Sequence, residues 1–158
     1  MQKSKNVPMG YSLHSAFTMI ELVFVIVVLG ILAAIAIPKF AATRTDAQIS
    51  KGRADIASIR SAIMTERQTR LIKGDSSWIP KLSQNGTTLF TGSDNNHTLL
   101  LYGISSGTTD GHWSSTNADY KHYRYKVDGF NCNFTYDSAT GKFTLNAAQP
   151  AICDNLVK

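Results

Sequence analysis

The sequence predicts an α+β fold, with one long amino-terminal helix packed on a small antiparallel sheet. Three observations carry this. Phe17–Ile37 is an apolar run with a single charge. The residues after it repeat isoleucine at helical spacing until Gly74. From Asn85 onwards the composition turns to Gly, Ser, Thr, Asn and aromatics, with turn signals every few positions. The 158 residues suffice for one modest domain plus an anchor.

The apolar run makes a helical rod of roughly 30 Å, the thickness of a bilayer's hydrocarbon core. Leu22 to Ile37 carries no charge and no strongly polar residue. A rod apolar on every side belongs in lipid or in a fully buried bundle. Glu21, near its start, is the exception. A carboxylate in hydrocarbon costs on the order of 3 kcal/mol or more, which points to a partner and a role.

The surroundings of Glu21 form a pattern. A leader carrying Lys3 and Lys5 ends at the small residue Ala16. Phe17 and Thr18 follow, Glu21 lies four residues after Phe17, Gly30 sits inside the apolar run, and Pro38 follows it. Over residues 1–40 this resembles the type IV pilin family, including the pseudopilins of type II secretion. The resemblance implies that a prepilin peptidase cuts between Ala16 and Phe17 on the cytoplasmic side and that the new amino terminus at Phe17 is methylated. The family usually has glycine where Ala16 stands. Gly10–Tyr11 is the other small-residue site, but a cut there would leave Glu21 far from the new terminus. A secretory signal would place its apolar core before the cleavage site; here the core follows it, so the helix is retained.

The lysines of the leader suit a cytoplasmic amino terminus. Lys39 and Arg44 flank the other end, so charge asymmetry alone does not set topology. Met9 is an alternative start that would discard both leader lysines. Cleavage lowers the formal charge from +5 to +3, a mild excess that favours acidic partners without demanding one.

Cutting also exposes a cationic amine on Phe17. A staggered bundle then brings Glu21 of one subunit near the Phe17 amine of another, each charge relieving the other's desolvation. The competing reading is a glutamate snorkelling to headgroups from a plain anchor.

In Lys39–Lys73, Ile49, Ile56, Ile59 and Ile63 form an amphipathic stripe, with Gly52 beside it to allow close approach. Arg44, Lys51, Arg53, Arg60, Arg67 and Arg70 make much of the remaining surface basic. Gly74 is a stop signal. Gly30 and Pro38 are the weak points between the halves of the helix, where a kink, or melting during assembly, is expected. The expected organisation is a cleaved leader at 1–16, a membrane or filament-core half at 17–38, an amphipathic half at 39–73 and a β head at 74–158.

In the head, Asp75–Gln84 is a connector. The expected strands are Leu99–Tyr102, Tyr120–Val127, Phe130–Tyr136 and Lys142–Leu145, with Asp137–Gly141 as the last turn. Ser105–Ser115 is expected to be an exposed loop. Cys132 and Cys153 allow a single intramolecular bridge. Outside the cytoplasmic membrane it would close a loop of about twenty residues and restrict the unfolded chain by roughly 3 kcal/mol. Two free buried thiols are the alternative. The pair's position near the carboxyl terminus resembles the bridge of many pilins.

Other chemistry is weakly supported. Gly103–Gly107 matches G-x-S-x-G, but Thr108–Gly111 cannot open the helix that a nucleophile elbow needs, so it reads as a turn. His97, His112 and His122 lack ligand spacing, and no metal or other cofactor is expected. His122, Arg124 and Lys126 form a basic strand face beside tyrosines, a surface able to hold DNA or simply to be solvated. Asp94–Thr98 contains an N-x-T acceptor at Asn96, a weak glycosylation signal that otherwise reads as a polar turn.

The function expected is a structural subunit of a type IV pilus-like filament, for adhesion, motility or DNA uptake, with no active site. Its expected partners are further copies of itself, the prepilin peptidase, an inner-membrane assembly platform, membrane lipid before assembly and, weakly, DNA. Its head would be periplasmic before assembly, and the filament extracellular or periplasmic. The alternative within the family is a pseudopilin of a secretion piston, whose typical acidic calcium-binding loop is not recognisable near Pro150–Lys158. Outside the family, the alternative is a monomeric membrane-anchored binding module.

Overall fold

The structure is a computed structural model that describes residues 17–94 and 99–158. The chain forms two compact units, one ending at Phe40 and the other comprising Ala41–Lys158. Helix α1, Met19–Ile72, contributes to both, and its helical assignment runs unbroken through Gly30 and Pro38. It stops where Gly74 takes a left-handed φ of +84°. There the Gly74 N–H bonds the Leu71 carbonyl and the Asp75 N–H bonds the Arg70 carbonyl. Such wrapped-back bonds satisfy carbonyls that a helix end leaves open.

The second unit adds β1 (Thr88–Leu89), β2 (Ile104–Ser105), β3 (Trp113–Ser115), β4 (His122–Val127), β5 (Phe130–Asp137), β6 (Lys142–Leu145) and the short α2 (Ala151–Asp154). Strands β3-β4-β5-β6 form an antiparallel sheet in that order, and β1 and β2 pair as a separate ribbon. Val127 pairs with Phe130 across Asp128–Gly129, both at positive φ, which is a two-residue primed turn. Alternation then sorts the strands. Tyr123, Tyr125 and Val127 of β4 and Cys132, Phe134 and Tyr136 of β5 are buried, while His122, Arg124 and Lys126 are partly exposed.

The buried face lies in one core with Ile56, Ile59 and Ile63 of α1, and Ile49 packs at its margin. Phe90, Trp113 and Phe143 belong to it too, as do Ile79, Leu82, Leu89 and Leu156, and the Phe134 and Phe143 rings stack at 5.3 Å. Gly52 is buried against the same core. A Cβ there would lie 2.7 Å from both Leu156 and Tyr125. The connector after α1 is seated by its neighbours: the Arg67 guanidinium lies 4.8 Å over Trp78, and the Tyr136 hydroxyl donates to the Ile79 carbonyl at 2.8 Å. Cys132 and Cys153 are joined by a disulfide, which ties α2 to β5.

Three expectations change. Leu99–Tyr102 is not a strand; the Leu100 N–H bonds the Phe90 carbonyl, and the strand forms two residues after Tyr102, as β2. Ser105–Ser115 is an exposed loop only in its middle, around Thr108–His112. Ser105 lies in β2, and Trp113 opens β3 as a fully buried core residue whose indole N–H donates to Asp55 Oδ2 at 3.0 Å. Gly and polar residues around a single large aromatic hid an edge strand. Nor does Gly103–Gly107 form a turn around Ser105, since Ser105 pairs with Thr88 in the ribbon.

Two outcomes follow. Gly52→Val should destabilise the head by about 1–3 kcal/mol through overpacking, read as a lowered midpoint in urea unfolding of the detergent-solubilised chain. Burial pushes the Tyr125 and Tyr136 phenols up to about 12, and that of Tyr123 up as well. Their folded pKa values exceed the unfolded value near 10, so the stability they confer is complete below that pH and is lost as pH rises towards 12. The share of the tyrosinate absorbance that Tyr123, Tyr125 and Tyr136 contribute should therefore rise together with loss of near-ultraviolet circular dichroism, rather than ahead of it.

Candidate assembly site

The first unit exposes its apolar side chains. Phe17, Met19, Ile20, and the large residues from Leu22 to Ile37 are all exposed. A Cβ on Gly30 would meet nothing within 4 Å, so packing inside the subunit does not require a glycine there. The helix is long and apolar enough to cross a membrane.

Its first turn is closed by Thr18 and Glu21. The Thr18 N–H and hydroxyl both donate to Glu21 Oε2 at 3.2 Å, and the Glu21 N–H donates to Thr18 Oγ at 3.2 Å. The first helical bond follows, from the Leu22 N–H to the Thr18 carbonyl at 3.1 Å. This is a reciprocal capping box, with threonine at the N-cap and glutamate three residues on. It satisfies two backbone donors that a helix start leaves open and places an anion at the positive end of the helix dipole. Sequence reasoning gave Glu21 a role and Thr18 none, although Thr-x-x-Glu before an apolar run is the capping signal. A carboxylate has about four acceptor sites, so the cap leaves Glu21 with capacity for a further donor.

The remaining expected site residues are dispersed. Ala16 and the rest of the leader, together with Asn96 and His97, lie outside the described residues. His112 and His122 make separate local contacts, to Thr109 and Asp119 respectively. The expected basic strand face keeps Arg124 and Lys126, but Tyr123 and Tyr125 are fully buried on the opposite face. Alternation that makes the outer face basic turns the rings inwards, so β4 offers no stacking platform for bases. Much of the helix's basic surface is also engaged. Lys51 donates to the Gly111 carbonyl, Arg53 to Asn155, Arg60 to Phe143, and Arg67 to Ser76 and Ser77.

Three curated relatives, each a type IV major fimbrial protein FimA from Dichelobacter nodosus, are 43% identical to this chain over 54 residues. The shared stretch is 34% of this chain and 35%, 35% and 34% of theirs. The match thus spans about a third of the relatives' length, and over it the chain is related to type IV pilins. No family model and no solved structure matches.

The cap makes a local prediction. Thr18→Val removes the hydroxyl and should cost about 0.5–2 kcal/mol of first-turn stability, whereas Thr18→Ser should retain it. Amide hydrogen exchange at residues 18–22 in detergent micelles would show faster exchange in the valine variant alone.

Proposed function

We propose that this chain is the structural subunit of a type IV pilus-like filament and not an enzyme. The observation that carries the reading is the first unit: a helix apolar on every side, uncovered within the subunit, with a capped carboxylate at its start. The kinship over 54 residues with FimA proteins supports it. In this reading a prepilin peptidase removes residues 1–16, and Phe17 becomes a methylated amino terminus. Residues 17–38 hold the subunit in the inner membrane, with the head, residues 74–158, on the periplasmic side beyond the amphipathic half at 39–73. An assembly platform then transfers the helices from lipid to a central bundle. Gly30–Pro38 is where the helix melts during that transfer. Glu21 meets the Phe17 amine of a neighbouring subunit.

Two measurements test this. Mass spectrometry of the mature protein should place the amino terminus at Phe17 with one added methyl group; a terminus at Tyr11 or an intact leader would overturn the processing step. Glu21→Ala should leave insertion, the disulfide and head folding intact while lowering the ratio of sheared filament to membrane-bound subunit. If the charge pair is fully buried, the loss is about 3–5 kcal/mol. An unchanged ratio would make Glu21 an anchor residue only. Filament recovered in the periplasm and absent from sheared surface material would favour the secretion pseudopilin instead.

A further inference from the structure

We propose that a cleft between α1 and the loop before β3 holds the phosphoethanolamine headgroup of a membrane phospholipid while the subunit awaits assembly. The inference rests on the membrane-anchored stage of the filament reading above. The cleft lies within the second unit, is about 310 Å³ in volume and is lined by Arg44, Gln48, Lys51, Asp110, Gly111 and His112. Arg44, Gln48 and Lys51 stand at i, i+4 and i+7, on one face of the helix. The walls are tied to each other and to the sheet. Lys51 donates to the Gly111 carbonyl, the Asp128 N–H to Gln48 Oε1 and the Gly129 N–H to Asp110 Oδ1. The Gly111 N–H bonds the Lys126 carbonyl, and the Lys126 N–H bonds the His112 carbonyl. A cleft set before binding loses little freedom when it is filled.

The cleft carries charges of both signs, which selects a bipolar occupant. Arg44 is exposed and makes no hydrogen bond or ion pair among the described residues. Lys51 feels the Asp55 carboxylate and gives one N–H to Gly111, out of three. These two cations suit a phosphodiester anion. Asp110 would repel a simple anion, and the Gly129 N–H fills only one of its four or so acceptor sites. His112 Nδ1 lies 3.0 Å from Thr109 Oγ and 3.2 Å from the Asp110 carbonyl. A carbonyl only accepts, so Nδ1 carries the hydrogen and Nε2 of the neutral ring is an acceptor. Acceptors beside two cations match a phosphate joined to an ammonium that can donate N–H bonds. A glycerol headgroup leaves Asp110 without a cation, and a quaternary choline has no N–H to give. The chain also brings the cleft to the headgroups. Arg44 follows Ile37, the end of the apolar run, by seven residues, which reach at most about 25 Å in any conformation. Lipid phosphates occupy the polar layer that borders the hydrocarbon core.

The test reconstitutes the full chain in vesicles of equal parts phosphatidylethanolamine, phosphatidylglycerol and phosphatidylcholine with the same acyl chains. The protein is then extracted in mild detergent, and the lipid it retains is read by native mass spectrometry. Wild type should retain phosphatidylethanolamine about tenfold over either other lipid. Arg44→Gln should lower the retained phosphatidylethanolamine about tenfold. Asp110→Asn, which still accepts from Gly129, should instead bring phosphatidylethanolamine and phosphatidylglycerol to parity. Glycerophosphoethanolamine should displace the retained lipid, and inorganic phosphate at the same concentration should not. Retained lipid that mirrors the vesicle composition overturns the site, as does Arg44→Gln retaining lipid like wild type. Equal displacement by inorganic phosphate overturns the bipolar assignment. Unchanged lipid with a tenfold loss of sheared filament in Arg44→Gln makes the cleft a contact between copies and overturns the lipid assignment. Should Asp110→Asn lose its disulfide or its near-ultraviolet circular dichroism, Arg44→Gln and the two competitors decide the outcome. A chain that does not enter vesicles at all overturns the membrane-anchored reading together with the site; one that enters without lipid preference overturns the site alone.

Discussion

Packing of Ile56, Ile59 and Ile63 beneath the aromatic face of the sheet is the constraint on which the second unit depends. Each buried isoleucine contributes about 1.5–3 kcal/mol relative to exposure, and together they set which side of the helix meets β4 and β5. A four-stranded sheet with one apolar face needs such a cover to persist in water. Gly52 sets how closely the two approach, because Tyr125 and Leu156 occupy the space that a side chain would need.

Polar groups refine the same contact. Trp113 and Tyr125 reach from the sheet to Asp55 and to the Gln48 carbonyl on α1, at 3.0 and 2.6 Å. In return, basic side chains of the helix reach carbonyls of loops and edges that have no ladder partner, such as Phe143 on the outer edge of β6. These bonds serve groups that a small sheet leaves unpaired, and charge on the donor strengthens each of them. The basic helix surface is thus partly a set of tethers.

The first unit follows the opposite logic. Its apolar side chains are exposed among the described residues, and a helix apolar on every side suits lipid or a packed bundle rather than water. Its helix start is satisfied internally, by Thr18 and Glu21. That closure lets the carboxylate serve its own helix with acceptor capacity left over.

The sequence by itself determined the elements whose signal is local. The apolar rod, the isoleucine stripe, the stop at Gly74 and the strands β4, β5 and β6 follow from periodicity and turn chemistry within short windows. Tertiary structure alone decided the segment from Leu99 to Ser115 and the fate of the charged residues. Trp113 is buried because the aromatic core of β4, β5 and β6 leaves a place for an indole whose N–H finds Asp55, fifty-eight positions earlier. Leu101 and Tyr102 stand in solvent because Phe90 and Gly103 hold the backbone on either side of them. Arg60 and Lys51 hold carbonyls rather than solvent because their partners arrive from distant turns. In each case the deciding contact joins residues far apart in the chain, where hydrophobic period and turn propensity carry no information.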